Sequence, residues 1–191
     1  MRLDELTWPV HTERLILRPA TVADVEPTWR FRQLEPVSRW LTRAMSSVED
    51  HRSLFEDPES LAKTIILELG GEVIGDLMLD VKDAWAQAEV ASQAEGAEAN
   101  LGWVLHPDHT GRGYAWEAVR ELLRICFEDL GVRRVTAGCF LANEASWRLM
   151  ERVGMRREAH NVRDSLHRSG RWLDGLTYAL LAEEWAGPSA G

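Results

Sequence analysis

Ala99-Asn-Leu-Gly-Trp-Val-Leu-His-Pro-Asp-His-Thr-Gly-Arg-Gly-Tyr-Ala-Trp-Glu117 decides how the rest of the chain is read. Its apolar run Leu101–Leu105 has the character of a strand and leads into a turn. Gly111 and Gly113 then open a segment with helical spacing, Ala115, Ala118, Val119, Leu122, Leu123, Cys126 and Phe127 falling on one face. A strand, a glycine turn and a helix in that order make an anion site. Glycine lets backbone approach a ligand, the first N–H groups of a helix lack internal partners, and the helix dipole adds partial positive charge. Phosphate is the natural guest.

Outward from this stretch the chain alternates strands and helices. Leu15–Pro19 reads as a first strand after a lead-in over residues 1–13, and Thr21 with Asp24 starts a helix over Val22–Leu34 that Pro36 stops. Val37–Met45 is expected to form a second short helix, and Ser46 or Ser47 to cap a third that runs through Phe55 and ends near Pro58. Lys63–Val81 is the clearest hairpin, two apolar runs around Gly70-Gly71, with Gly75 marking a bulge or a close backbone approach. Residues 82–97, with seven alanines between 84 and 99, read equally as a helical insertion or a mobile loop. Gly131 caps the long helix, Val132–Phe140 is a strand, and Asn143 starts a helix that Gly154 ends. Two extended segments, Met155–Ser165 and Trp172–Leu181, flank a turn at 168–170, and the tail 187–191 is expected to fray.

At 191 residues, 45% hydrophobic and 28% charged, the chain fits one globular domain over 1–191, with its core at 12–185. Its longest apolar runs fall well short of the roughly 20 residues of a membrane span. Acidic residues and no apolar signal region in residues 1–15 predict a cytoplasmic protein. A net charge of −9 argues against nucleic acid as a partner and suits a cationic amine, while serving solubility equally well. Cys126 and Cys139 offer neither a disulfide framework nor a metal spacing and read as core. His106, Asp108 and His109 are three turn residues without second-site partners, so no metal is expected.

The glycine turn excludes two familiar loops. G-x-G-x-x-G counted from Gly111 places Trp116 at the third glycine, and no G-x-x-x-x-G-K-S/T run exists. What remains resembles the pyrophosphate loop of the GNAT N-acetyltransferase superfamily, Q/R-x-x-G-x-G/A, here Thr110-Gly-Arg-Gly-Tyr-Ala115. Thr110–Ala118 is similar to the G-x-G-Y-A-x-E-A form found in the ribosomal-protein N-terminal (RimJ/RimL-like) acetyltransferases. Leu101–Pro107, Asn143-Glu-Ala-Ser146 with Leu149 and Gly154, Thr12-Glu-Arg-Leu-Ile-Leu-Arg18, and Trp172 with Asp174, Tyr178 and Leu180-Leu181 resemble further motifs of that group, in the same order.

The resemblance implies a GNAT fold of the α/β (α+β) class, a mixed, mostly antiparallel sheet of six or seven strands flanked by helices, with a central strand pair that splays. It implies direct transfer of an acetyl group from acetyl-coenzyme A to a primary amine, on a protein N-terminus or a small molecule, with a homodimer among the assemblies it allows. By the same resemblance Gly111, Arg112, Gly113, Tyr114 and Ala115 hold the pyrophosphate, Val104 and Leu105 contact the pantetheine arm and polarise the thioester carbonyl, and Asn143 bonds the arm while capping its helix.

Many relatives carry a tyrosine where this chain has Met150, and an acidic residue where it has Asn100. Ser146 is the substitute acid near the sulfur and Glu98 the candidate base. Neither cysteine falls in this set, so no acetyl-enzyme is expected. Trp29, Trp40 and Trp103 are candidates to line an acceptor pocket. The competing readings are a non-catalytic coenzyme A sensor and a nucleotide-binding or interaction module.

Overall fold

The computed structural model describes residue 3 and residues 6–186; the tail expected to fray lies outside them. Eight strands form one sheet: β1 (Val10–His11), β2 (Ile16–Pro19), β3 (Thr64–Leu69), β4 (Glu72–Lys82), β5 (Glu98–Leu105), β6 (Arg134–Phe140), β7 (Arg156–Leu166) and β8 (Trp172–Leu181). Their order is β1-β2-β3-β4-β5-β6-β8-β7. β5 and β6 are parallel, whereas β1–β2, β2–β3, β3–β4, β6–β8 and β7–β8 are antiparallel. The count exceeds the expected six or seven because β1, two residues within the presumed lead-in, is too short to carry an alternation signal. The described residues divide into two compact units, one of residues up to 79 with 103–119 and one of residues 80–102 with 120–186.

In the first unit, Arg18 and Asp24 meet through two bonds of 2.8 and 2.7 Å, and Asp24 also accepts from the Thr21 backbone at 2.8 Å, which closes the turn into the helix. α1 (Val25–Arg32) buries Val25, Thr28 and Phe31, three residues apart along one face. A four-residue helix, α2 (Glu35–Ser38), replaces the expected Val37–Met45 helix, and a second, α4 (Pro58–Leu61), starts at the proline near which the third helix ends, as expected. Both carry proline in their first turn, where its missing N–H costs nothing; a proline read as a terminator is here an initiator. Between them α3 (Val48–Phe55) is capped by Ser47, whose hydroxyl accepts from Asp50 N.

The hairpin β3–β4 turns at Gly70 and Gly71, with φ of 58° and 86°. A register shift sits between Leu67 and Glu68, opposite Gly75 and Val73. Gly75 is also a close approach, since a Cβ there would lie 2.5 Å from the Val104 carbonyl oxygen. Leu17, Phe31, Ile65, Ile66, Ile74 and Leu77 are wholly buried in this unit. Each such side chain stabilises the fold by about 1.5–3 kcal/mol.

In the second unit, residues 82–97 form a 3-10 stretch at Ala88–Ala94 held by Ala84 N to Ala94 O (2.9 Å) and Gly96 N to the Asp83 carboxylate (2.9 Å). Residues 120–124 of α5 (Tyr114–Arg124) fall in this unit and continue into a π turn at Ile125–Asp129, and Leu122, Leu123, Ile125 and Cys126 are wholly buried. β6 and β8 pair along the full length of β6. β5 and β6 pair only at residues 98–100 with 134–136, although β6 runs on to Phe140. α6 (Glu144–Arg152) buries Met150.

Candidate active site

The first unit holds the glycine turn. His106 N bonds Ile74 O at 2.8 Å, tying the end of β5 to β4. A 3-10 turn over Pro107–His109 follows, in which His106 Nδ1 accepts from Asp108 N (3.1 Å) and the Thr110 hydroxyl donates to Pro107 O (2.7 Å). These residues hold the turn together, and Thr110 is directed back into it. Gly111 and Gly113 take φ of 73° and 85°, a region that suits glycine, and α5 begins at Tyr114. A Cβ on Gly111 would meet nothing within 4 Å, while one on Gly113 would lie 3.2 Å from Arg14 Nη2. The turn is therefore open above Gly111 and closed beside Gly113, and the first amides of α5 project from its N-terminus. That cradle fits a pyrophosphate.

Strand geometry separates Val104 from Leu105. N–H and C=O of one residue point to the same edge of a strand, and successive residues alternate. The Val104 carbonyl faces Gly75, and His106 N reaches Ile74, so residues 104 and 106 turn toward β4. Leu105 and Trp103 present their backbone groups on the opposite edge.

Arg14, Thr12 and Glu117 also join at this turn, although sequence reasoning gave them no role. Glu117 accepts from the Thr12 hydroxyl (2.5 Å), the Arg14 backbone (2.8 Å) and Arg14 Nε (2.7 Å). Burial alone pulls the Glu117 pKa upward; the bonds from Thr12 and Arg14 outweigh it and hold the carboxyl below its ordinary value. Arg14 Nη1 donates to the Arg112 carbonyl at 3.0 Å, and the guanidinium lies 4.6 Å from the Tyr114 ring centroid. The only prior sign was that both segments belong to motifs of one resemblance; no spacing rule connects residue 14 to residue 117.

The second unit brings Asn143, Ser146 and Cys139 together. Asn143 occupies the N-cap of α6, but its side chain makes no capping bond, contrary to expectation; Ser146 N bonds the Asn143 carbonyl instead, at 3.1 Å. Ser146 lies close enough to Cys139 to favour its thiolate, so one cysteine does adjoin the proposed set. Burial raises the Cys139 thiol pKa more than Ser146 and Arg157 lower it, and a neutral thiol is a poor nucleophile.

Glu98 does not join them. It pairs with Arg134 at the start of β6 and lies between Lys82 (3.3 Å) and Arg134 (3.5 Å). Cys139 is five residues further along β6, roughly 16 Å at ~3.3 Å per residue. Asn100 Nδ2 donates to Thr136 Oγ1 at 3.1 Å, and Met150 is fully buried. Trp29 stacks on His51 at 5.8 Å, and Trp40 lies under Arg39 at 4.5 Å.

Residues 14–156 match the family model for an acetyltransferase (GNAT) domain. The chain belongs to the GNAT acetyltransferase family. It is 36% identical over 85 residues to the uncharacterized N-acetyltransferase YnaD of Bacillus subtilis, spanning 44% of this chain and about half (49%) of that one. To the uncharacterized N-acetyltransferase p20 of Bacillus licheniformis it is 25% identical over 186 residues, 93% of this chain and 98% of the relative. Among solved structures, RimL, a ribosomal L7/L12 alpha-N-protein acetyltransferase in complex with coenzyme A, superposes with a TM-score of 0.74 at 18% identity, covering 89% of this chain and 95% of RimL. The fold is that of the GNAT acetyltransferases, the chain is an N-acetyltransferase of this type, and acetyl-coenzyme A is the family's acetyl donor. Among the described residues no helix is long and apolar enough to cross a membrane.

Proposed function

We propose that the protein acetylates the α-amino group of a peptide or small molecule by direct transfer from acetyl-coenzyme A, residues 12–185 acting as one catalytic domain. The observation that carries this reading is the pair of left-handed glycines, 111 and 113, immediately before α5. Backbone N–H groups of residues 111–115 hold the pyrophosphate. Leu105, with Trp103 in place of Val104, offers backbone bonds to the pantetheine arm. Asn143, whose side chain caps nothing, bonds that arm as well, and the Ser146 hydroxyl gives its proton to the departing thiolate while regaining the one that the attacking nitrogen loses on becoming an amide. Acetyl-coenzyme A supplies a thioester whose carbonyl is open to attack by a neutral amine.

The choice of an α-amine follows from proton chemistry. Glu98 is held between two cations and Asn100 is an amide bonded to β6, so neither is placed to strip a proton from a strongly basic amine. At pH 7.5 roughly a third of an α-amine is already neutral, against roughly 0.1% of a lysine side chain. The same two residues, with Met150, also favour a second reading, a coenzyme A sensor without catalysis.

Calorimetric titration of coenzyme A, NAD and ATP tests the loop. Coenzyme A alone is expected to bind, and Gly113→Glu, which forces a side chain into a left-handed position beside Arg14, to abolish it; undiminished affinity in that variant counts against the assignment. Thiol release from acetyl-coenzyme A across a panel of amines then separates enzyme from sensor, α-amines being turned over and lysine side chains poorly. No release with any amine leaves the sensor standing.

A further inference from the structure

We propose that Arg14 is a positioning residue for the coenzyme A loop, acting through the Arg112 carbonyl and Glu117 to aim the Gly113 amide at the pyrophosphate; this rests on the loop assignment above. Arg14 sits at the tip of the β1–β2 hairpin, in a turn closed by Thr12 N to Leu15 O (2.9 Å) and Leu15 N to Thr12 Oγ1 (3.0 Å). A side chain on a turn so fixed is a rigid anchor.

Its guanidinium divides its donors. Nε and Nη2 reach one Glu117 oxygen at 2.7 Å each, and Nη1 reaches the Arg112 carbonyl at 3.0 Å. The second of these contacts matters for ligand binding. In a planar trans peptide the C=O and the following N–H point in opposite directions. Holding the Arg112 carbonyl toward Arg14 therefore directs the Gly113 N–H to the other face of the turn. Glycine at φ 85° has little intrinsic preference for that orientation, so an external clamp is needed to select it.

Glu117, in the first turn of α5, fixes the guanidinium to the helix whose N-terminus completes the cradle. The Tyr114 ring packs beneath. The chain needs such a device here because Thr110 stands where the motif has Gln or Arg, and its hydroxyl is committed to Pro107. A guanidinium brought from residue 14 steadies a loop that lacks its usual long side chain. Lysine is no equivalent, since an ammonium cannot span Glu117 and the carbonyl in one plane.

Coenzyme A titration and amide hydrogen exchange on Arg14→Met, Arg14→Lys and wild type, with Arg30→Met on the exposed face of α1 as control, provide the test. Arg14→Met is expected to weaken coenzyme A about tenfold and to speed exchange at residues 111–115. Arg14→Lys is expected to recover less than half of that loss, and Arg30→Met to match wild type. With acetyl-pantetheine, which has no pyrophosphate, Arg14→Met and wild type should show equal kcat/KM, a result that general destabilisation does not give. If Arg14→Met fails to fold, the same comparison is made with Arg14→Lys and Thr12→Val. Wild-type protein without affinity for coenzyme A overturns the loop assignment itself. Wild-type binding with Arg14→Met inside twofold, or an equal loss with acetyl-pantetheine, overturns the clamp.

Discussion

Gly75→Ala isolates the close approach between β4 and the end of β5. An added methyl would lie 2.5 Å from the Val104 carbonyl oxygen, 3.2 Å from Leu105 Cδ1 and 3.3 Å from Leu105 Cα. Carbon and carbonyl oxygen need at least about 3.3 Å, and two of these three neighbours are backbone, so the strand must yield by nearly 1 Å. The bond from His106 N to Ile74 O, 2.8 Å long, cannot absorb such a shift and stay within hydrogen-bond range. Losing it costs about 1 kcal/mol and overpacking a further 1–3 kcal/mol, offset by about 0.4–1 kcal/mol because alanine loses less chain entropy on folding. The net loss is about 2 kcal/mol. At an m-value of about 2 kcal/mol per molar, the urea midpoint should fall by about 1 M, read by tryptophan fluorescence. Gly71→Ala is the counterpart, for nothing lies within 4 Å of its Cβ and its φ of 86° is the whole penalty, about 1–2 kcal/mol. Gly71→Asn should recover most of that cost, and Gly75→Asn none of it. An unchanged midpoint in Gly75→Ala refutes the packing argument and with it the orientation assigned to Val104.

His51 is buried, its Nε2 2.8 Å from the Thr28 hydroxyl, and burial, then the Arg32 charge, lowers its pKa to about 4. The unfolded chain takes up this proton first, so stability is full above about pH 6.5 and falls by at most ~1.4 kcal/mol per unit as pH drops toward 4. His51→Gln should flatten that slope in denaturation midpoints measured from pH 7 to 4, and an unaltered slope rules His51 out. Arg32 meets buried Asp76 through bonds of 2.8 and 2.5 Å, so Arg32→Met should cost about 3–5 kcal/mol and Arg32→Met with Asp76→Leu markedly less. Additive losses would show that the two do not act as a pair. Ser146→Ala should lower kcat at least about 100-fold with the KM for acetyl-coenzyme A within twofold, while Cys139→Ser stays active; an unchanged kcat removes Ser146 as the acid.

The elements that were legible carry their cause locally. Gly70-Gly71 sets the hairpin turn, the one-sided apolar spacing of residues 115–127 sets α5, and Thr21–Asp24 closes the first helical turn by itself. What escaped depends on partners distant in the chain. β1 is two residues that extend only because Leu17 and Ile16 pair with them. β5 begins at Glu98, three residues before its apolar run, because Ala99 and Asn100, poor strand formers, pair with Val135 and Thr136. In residues 82–97 high alanine content promises a helix, but with no apolar stripe to bury it yields only a 3-10 stretch at 88–94.

The candidate site divides along the same line. Left-handed glycines before a helix have a signature in four or five consecutive residues, and that part of the loop was readable. Whether residue 104 or 105 presents its backbone to a ligand is a question of parity, and parity is set by which neighbour β5 pairs with, here through Gly75 and Ile74. Glu98 seemed close to the chemistry because it lies near the decisive stretch in sequence. In the strand register it stands opposite Arg134, while Ser146 adjoins Cys139 at the far end of the same strand. Arg14 is the converse case, 103 residues from Glu117 yet in contact with it. A helix N-terminus offers amides, but a glycine loop offers them in a fixed direction only if something outside it chooses that direction, and such a residue is invisible to any motif confined to the loop.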